Sequence, residues 1–296
     1  MAKKAKSTTS GRKSERIIWT LDLLDFKPGP AKKQLRFAED LFPDRKVEIQ
    51  PTFVFRDIRG GQSNHYQWCT LLFKKVLSQF KSKSLRPGKI VTQIPPPYNV
   101  RAYVRALLNT PYTKRAHMIL ATTANRSGLN RFLLGSFAET LLLTCHKPLL
   151  FFSAGSRVPT SIKTIIFPTD FSDESFRAFK ICVKRAAAVN AKILLFYAVN
   201  QRTFDPKLTK RYMEEKALTD KWVLWAEKSG VRITPIIEAA PENPASALIH
   251  FAIKKRVHLI VMASVSSPVE VILAGSTTRQ VVRQAPVPVW VIPPGN

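Results

Sequence analysis

Cysteine is scarce in this chain. Cys69, Cys145 and Cys182 are the only three in 296 residues, each in an apolar context, with neither metal-ligand nor disulfide-framework spacing. That excludes a cysteine-rich metal centre and a stapled secreted scaffold, and a reducing cytoplasm is the expected home. Long apolar runs are missing too. No stretch free of Asp, Glu, Lys and Arg reaches about 18 residues, so no membrane-spanning helix and no membrane partner are expected. The lysines near the start are not followed by an apolar segment, which excludes a secretory signal. Catalytic signatures are also lacking. There is no G-x-S-x-G, no P-loop lysine and no zinc pattern, and His65, His146 and His250 have no partner spacing for a metal or a triad. The chain is not expected to be an enzyme. Acidic residues are few: 20 Asp and Glu against 47 Lys and Arg, a net charge of +27. The excess is spread, with +5 in 1–16, +13 in 17–152 and +9 in 153–296. Such a surface attracts nucleic acid or another polyanion, unless it only reflects a generally basic proteome.

What is present is repetition. "KRAHMILATT" (114–123) mirrors "KRVHLIVMAS" (255–264), "LLGS" (133–136) mirrors "LAGS" (273–276), and "KPLLFF" (147–152) mirrors "VPVWVI" (287–292). Upstream, "RIIWTLD" (16–22) mirrors "TIIFPTD" (164–170). Four matches in one order indicate a duplicated unit. The expected division is a basic disordered tail at 1–15, a divergent first domain at 16–152, a small polar linker at 153–162 and a second domain at 163–294.

The second copy alternates continuous apolar strands with amphipathic helices. Its strands are "TIIFPTD", "AKILLFYAV", "VRITPIIEA", "HLIVMAS" and "VPVWVI". Helices are predicted after residue 172, over 205–230, over "NPASALIHFAIKK" and from about Ser276 to Gln284. The first copy follows the same plan, with helices near 31–42, 65–83, 99–109 and 136–144. Buried strands separated by helices specify a parallel sheet covered on both faces. The last strand of each copy is a long apolar edge that must be covered. Trp222 and Trp225, three apart on the long helix, read as core or interface. His117 and His258, each opening a strand after Lys-Arg, read as structural.

"IIFPTDFSDESFRAFKICVKRAAAVNAKILLFYAV" and the closing "GSTTRQVVRQAPVPVWVI" resemble the two ends of a universal stress protein domain. "RSGLNRFLLGSFAETLLLTCHKPLLFF" is a weaker version in the first copy. The resemblance implies an α/β fold of two tandem, doubly wound, five-stranded parallel-sheet domains with strand order 3-2-1-4-5, of the adenine nucleotide alpha-hydrolase-like type. It implies a ligand crevice between strands 1 and 4, where the order reverses, outside the carboxyl ends of the strands. It places Asp22 and Asp170 on one wall, where the family's acid lies beside adenosine, although either could simply cap a turn. In this family the last strands of two domains pair, which here gives an intramolecular domain pair, with a homodimer as a further option.

Nucleotide-binding members carry G-x2-G-x9-G-[ST]. Glycines let backbone N–H groups approach phosphate, and the last pair opens a helix whose dipole favours an anion. Gly135-Ser136 and Gly275-Ser276 keep the last element. Counting back, Asn125 and Thr122 replace the two glycines of the first copy, and Val265 and Met262 those of the second. Ser136 and Ser276 therefore read as phosphate-site remnants or as helix caps. The expectation is a non-enzymatic stress-response or regulatory binding module with a degenerate nucleotide loop and no resident cofactor. One alternative is a sensor holding ATP or AMP in the first copy through Asp22, Asn125, Gly135 and Ser136. Another is nucleic-acid or polyanion binding by the basic surface.

Overall fold

The computed structural model describes residues 14–23, 26–56, 64–93, 99–123, 136–153, 155–199, 207–239, 243–264 and 275–294. The first half runs β1 (Ser14–Thr20), α1 (Pro28–Asp40), β2 (Lys46–Arg56), α2 (Asn64–Leu77), β3 (Lys89–Gln93), α3 (Val100–Leu108), α4 (Pro111–Lys114), β4 (Met118–Thr122), α5 (Ser136–Thr144) and β5 (Leu149–Phe152). The second runs β6 (Thr164–Pro168), α6 (Asp173–Val189), β7 (Lys192–Val199), α7 (Lys207–Glu227), β8 (Ile233–Ala239), α8 (Pro244–Lys254), β9 (Leu259–Ala263), α9 (Gly275–Gln284) and β10 (Val289–Ile292).

The strands form one ten-stranded sheet, ordered β3-β2-β1-β4-β5-β10-β9-β6-β7-β8. Each half shows the order 3-2-1-4-5, with every neighbour parallel. Among the described residues the one antiparallel pair is β5 with β10, where Leu150 faces Trp290. The two halves are thus related by an approximate two-fold, and their strands point in opposite directions. Every residue of β5 and β10 is buried. Pairing these two apolar edges leaves no open ladder at the centre of the molecule.

Local chemistry sets the helix boundaries. Asn99, Thr110, Ser172 and Asn243 each accept a hydrogen bond from a backbone N–H three residues on, capping α3, α4, α6 and α8. Asn190 ends α6 in the left-handed region at φ 51, which asparagine tolerates well. One face of the sheet packs on α1, α6 and α7; the other packs on α3, α5, α8 and α9. Trp222 lies in the first layer, its ring centroid 4.9 Å from those of both Phe176 and Phe179.

Side chains also clamp the halves together. Arg185 of α6 is buried; it donates to the carboxylate of Asp44 and, at 3.3 Å, to the Leu41 carbonyl. Its guanidinium lies 4.6 Å from the centre of the Phe42 ring, and Phe42 packs edge-on against Trp290. On the opposite face Arg279 of α9 bonds Glu139 of α5 at 3.0 Å.

Three expectations need correction. Ser14 and Glu15, expected in the basic tail, belong to β1, where Glu15 is buried and held by Arg45. Helix α2 stops at Leu77 rather than near 83, since the chain must turn to lay Leu85 beside Ile49. The short helix α4 was not foreseen. The segment read as the linker is anchored to the second half: Arg157 N–H bonds Pro286 O at 2.8 Å, its guanidinium bonds Val257 O at 3.0 Å, and Ile162 is buried.

Candidate functional site

Doubly wound sheets open a crevice where the strand order reverses. Here a cavity of about 670 Å³ occupies that place in the first half. Thr20, Leu21 and Asp22 line it from the end of β1, and Thr122 and Thr123 from the end of β4. Thr20 Oγ1 donates to Leu120 O at 3.1 Å and holds the two strand ends together. The floor is apolar, with Trp19, Phe26 and Phe53.

Two helices begin at this cavity. Lys27, Gly29, Pro30 and Ala31 bring the start of α1 to it, and Ser136, Phe137 and Ala138 bring the start of α5. Pro28 at the first position suits α1, and no side chain caps its amides. Helix N-termini carry partial positive charge, so two of them facing one cavity favour an anion. Lys27 and Lys33 add full charges to the same wall.

Of the site residues read from sequence, Asp22 and Ser136 are brought together in this one cavity. Asn125 and Gly135 lie outside the described residues. Thr122, which stands where the family pattern has its first glycine, donates through Oγ1 to Gln34 Oε1 at 3.2 Å. A side chain therefore occupies the approach that glycine would leave open, and it is fixed to α1 across the crevice. Gln34 carried no signal in the sequence beyond its place on a helix face. The wall made by Ser153, Ser156, Arg157 and Val158 was also missed. It comes from the segment read as a linker, which is pinned to the second half while it borders the cavity of the first.

The second half uses the equivalent residues differently. Asp170, two positions beyond β6 as Asp22 is beyond β1, accepts through Oδ1 from Ser172 N–H at 3.0 Å and from Ser172 Oγ at 2.6 Å. It thereby orients the residue that caps α6. Next to it, Phe171 sits at φ 61, a costly conformation for an aromatic residue. Its ring packs on Trp222 and Tyr197, with centroids 5.4 and 5.1 Å away. Gly275 and Ser276 are the first two residues of α9.

The two repeated histidines play one role. His117 Nδ1 accepts the N–H of Arg16 at 3.0 Å, and His258 Nδ1 accepts that of Thr164 at 3.2 Å. Each joins the start of strand 4 in its half to the start of strand 1. Burial and the Arg157 guanidinium push the His258 imidazole below its usual range. The thiols of Cys69, Cys145 and Cys182 are all pushed up by burial, which makes them poor nucleophiles.

Comparison with known proteins agrees with this architecture. The model of the universal stress protein family matches residues 161–293. A universal stress protein of Methanocaldococcus jannaschii is 32% identical over 141 residues, covering 44% of this chain and 81% of that protein. The chain belongs to the universal stress protein family. Among solved structures, a universal stress protein from Archaeoglobus fulgidus superposes with a TM-score of 0.65 at 19% identity, covering 97% of this chain and 98% of its own. A functionally unknown protein from Pseudomonas aeruginosa gives 0.63 at 14% identity, over 95% and 92%. These two likenesses are of fold alone, but they run through both halves. The family match in sequence lies in the second half, whereas the cavity lies in the first.

Proposed function

We propose that this universal stress protein is a non-enzymatic regulatory binding module whose working site is the first-half crevice. The supporting observation is the convergence of two helix N-termini, Lys27 and Lys33 on one cavity at the strand reversal. Its volume lies within the range usual for small-molecule sites, about 300 to 1,000 Å³. Charge and apolar floor together suit a ligand with an anionic group and a flat or apolar body. Asp22 would orient the body, and Ser136 with the α5 amides would meet the anion.

A second, narrower reading is that the occupant is an adenine nucleotide. Asp22 and Ser136, both lining the cavity, favour it. The glycine cradle is not what would hold the phosphates, because Thr122 is bonded to Gln34. Lysine charge would have to replace backbone geometry, so such binding would weaken with salt.

The test is ligand content. Protein purified natively and then denatured is searched for released small molecules by mass spectrometry. Stripped protein is titrated with ATP and AMP by calorimetry, and ATP turnover is followed over the same period. Nucleotide lost on Asp22→Ala or Ser136→Ala, without turnover, supports both readings. A different released anion that depends on the same residues keeps the first and rejects the second. Neither ligand nor heat rejects both, and turnover rejects the non-enzymatic role.

A further inference from the structure

The regional charge balance hides a sharper feature. Between Asp57 and Glu139 there is no acidic residue at all, although this stretch holds 13 of the 47 lysines and arginines. The corresponding stretch of the second half, residues 200–278, carries 8 acids against 11 lysines and arginines. The absence of acids is thus a property of one half, not of the fold.

Topology gathers these charges. In a parallel sheet with helical crossovers, strand starts and helix ends share one end of the domain. In the first half that end lies opposite the crevice. Lys74 and Lys75 are in the last turn of α2, and Lys89 starts β3. Arg105 is in the last turn of α3, and Lys114 ends α4. Lys81 and Lys83 lie in the turn between α2 and β3, and all seven are exposed. Backbone contacts fix the parts relative to each other. Ile49 N–H bonds Ser84 O at 2.7 Å, and His117 N–H bonds Arg16 O at 2.8 Å. Lys147 Nζ bonds Lys114 O at 3.0 Å.

The acids that do reach this end are already engaged. Glu15 is held by Arg45, Glu48 by Arg86, Asp44 by Arg185 and Asp40 by Arg36, while Glu39 accepts from Ser82. The hydrogen bond and charge of Arg86 hold the Glu48 carboxyl below the usual range, so it stays ionised and spent on its partner. Cations at helix ends are ordinary, because they complement the helix dipole. An end with this many exposed cations, and with no unengaged acid among the described residues of this half, exceeds what the dipole requires.

We propose that the strand-start end of the first half binds the phosphate backbone of nucleic acid. Spaced, flexible, single charges on a rigid frame suit a repeating array of phosphates. Nothing in the set favours one base over another, so binding should be independent of sequence and strongly dependent on salt.

The experiment uses the full chain and fluorescence anisotropy with a labelled mixed-sequence single-stranded RNA and a duplex DNA of equal length, over a salt series. The wild type should bind both, and six engaged phosphates would cost about a thousandfold in affinity between about 50 and 200 mM salt. The triple variant Lys81→Glu, Lys83→Glu, Lys89→Glu should lose at least about tenfold at low salt and flatten the salt slope by about 2 to 3. The control Arg177→Glu, Lys184→Glu, Lys221→Glu reverses as many exposed charges elsewhere and should retain most of the affinity. Melting curves check that both variants fold. Equal loss in the control would overturn the proposal in favour of overall charge. Absence of binding at about 50 mM salt also overturns it. So does binding to phosphatidylserine vesicles without binding to either nucleic acid, because the surface would then serve a membrane.

Discussion

Arg185 offers the most direct test of how the two halves hold each other. Its guanidinium crosses from α6 to the first half and is 4% exposed, with Asp44, Leu41 O and the Phe42 ring as partners. Arg185→Ala removes a hydrogen bond to a charged group, about 1.5 to 3 kcal/mol, but leaves no stranded charge, since the Asp44 side chain is half exposed and rehydrates. Loss of the ring contact and of the buried stem adds about 1 kcal/mol, for an expected cost of about 3 kcal/mol. Arg185→Met keeps the stem and should recover about 1 kcal/mol of that. Asp44→Ala is the more revealing partner, because it leaves the buried guanidinium with only a carbonyl and a ring. Screening of the half-exposed carboxylate limits that cost to about 1 to 2 kcal/mol. The double variant should then be less destabilised than the sum of the singles, with a coupling of about 1 kcal/mol. Urea denaturation followed by tryptophan fluorescence and by far-UV circular dichroism reads these differences. Acid adds an independent arm. Burial works against ionisation of Asp44, but the hydrogen bond and charge of Arg185 outweigh it, so its folded value lies below 3.8. The stability it adds is complete above that unfolded value and is lost as pH falls through the folded one. Arg185→Ala should lose this acid dependence. A cost under about 0.5 kcal/mol for Arg185→Ala, or strict additivity with Asp44→Ala, would refute the clamp.

Two further predictions concern packing and pH. A Cβ at Gly88 would fall inside contact distance of the Leu77 and Phe73 side chains, so Gly88→Ala should cost about 1 to 3 kcal/mol in urea denaturation. The neutral imidazole of His258 is the form that accepts the Thr164 amide, and its folded value is lowered, so the unfolded chain takes up a proton first as pH falls. Stability should be level above about pH 6.5 and decline as pH drops toward the folded value, and His258→Gln should flatten that decline in melting temperature.

The sheet was legible in the sequence because its strands are unbroken apolar runs, and a run such as "ILLF" at 193–196 has few other places to go. Both histidines were legible as structural from their place before a strand, although the shared backbone hydrogen bond was not. Long-range partners were not legible. Arg185 reads as one more surface cation on "CVKRAAAV", and only the juxtaposition of two halves 141 positions apart turns it inward. Gln34 and the 153–158 wall failed for the same reason, since their role depends on what the chain brings opposite them. A net charge count per domain is blind to an acid-free run inside it.

The two halves join their first strand to their first helix by different lengths of chain. Seven residues separate β1 from α1, whereas four separate β6 from α6. In the short version Asp170 and Ser172 follow one another closely enough to form a cap, and the tight turn forces Phe171 to φ 61. Its ring then lies against Trp222, so the acid and its neighbour are both consumed by the fold. In the long version α1 starts on Pro28 without a side-chain cap, and Asp22 remains on a cavity wall. The half that the family model matches has thus tied its acid into a helix cap, whereas the acid of the other half lines the cavity. The pairing of β5 with β10 joins both halves in one sheet, so the loops of each half sit on a shared frame.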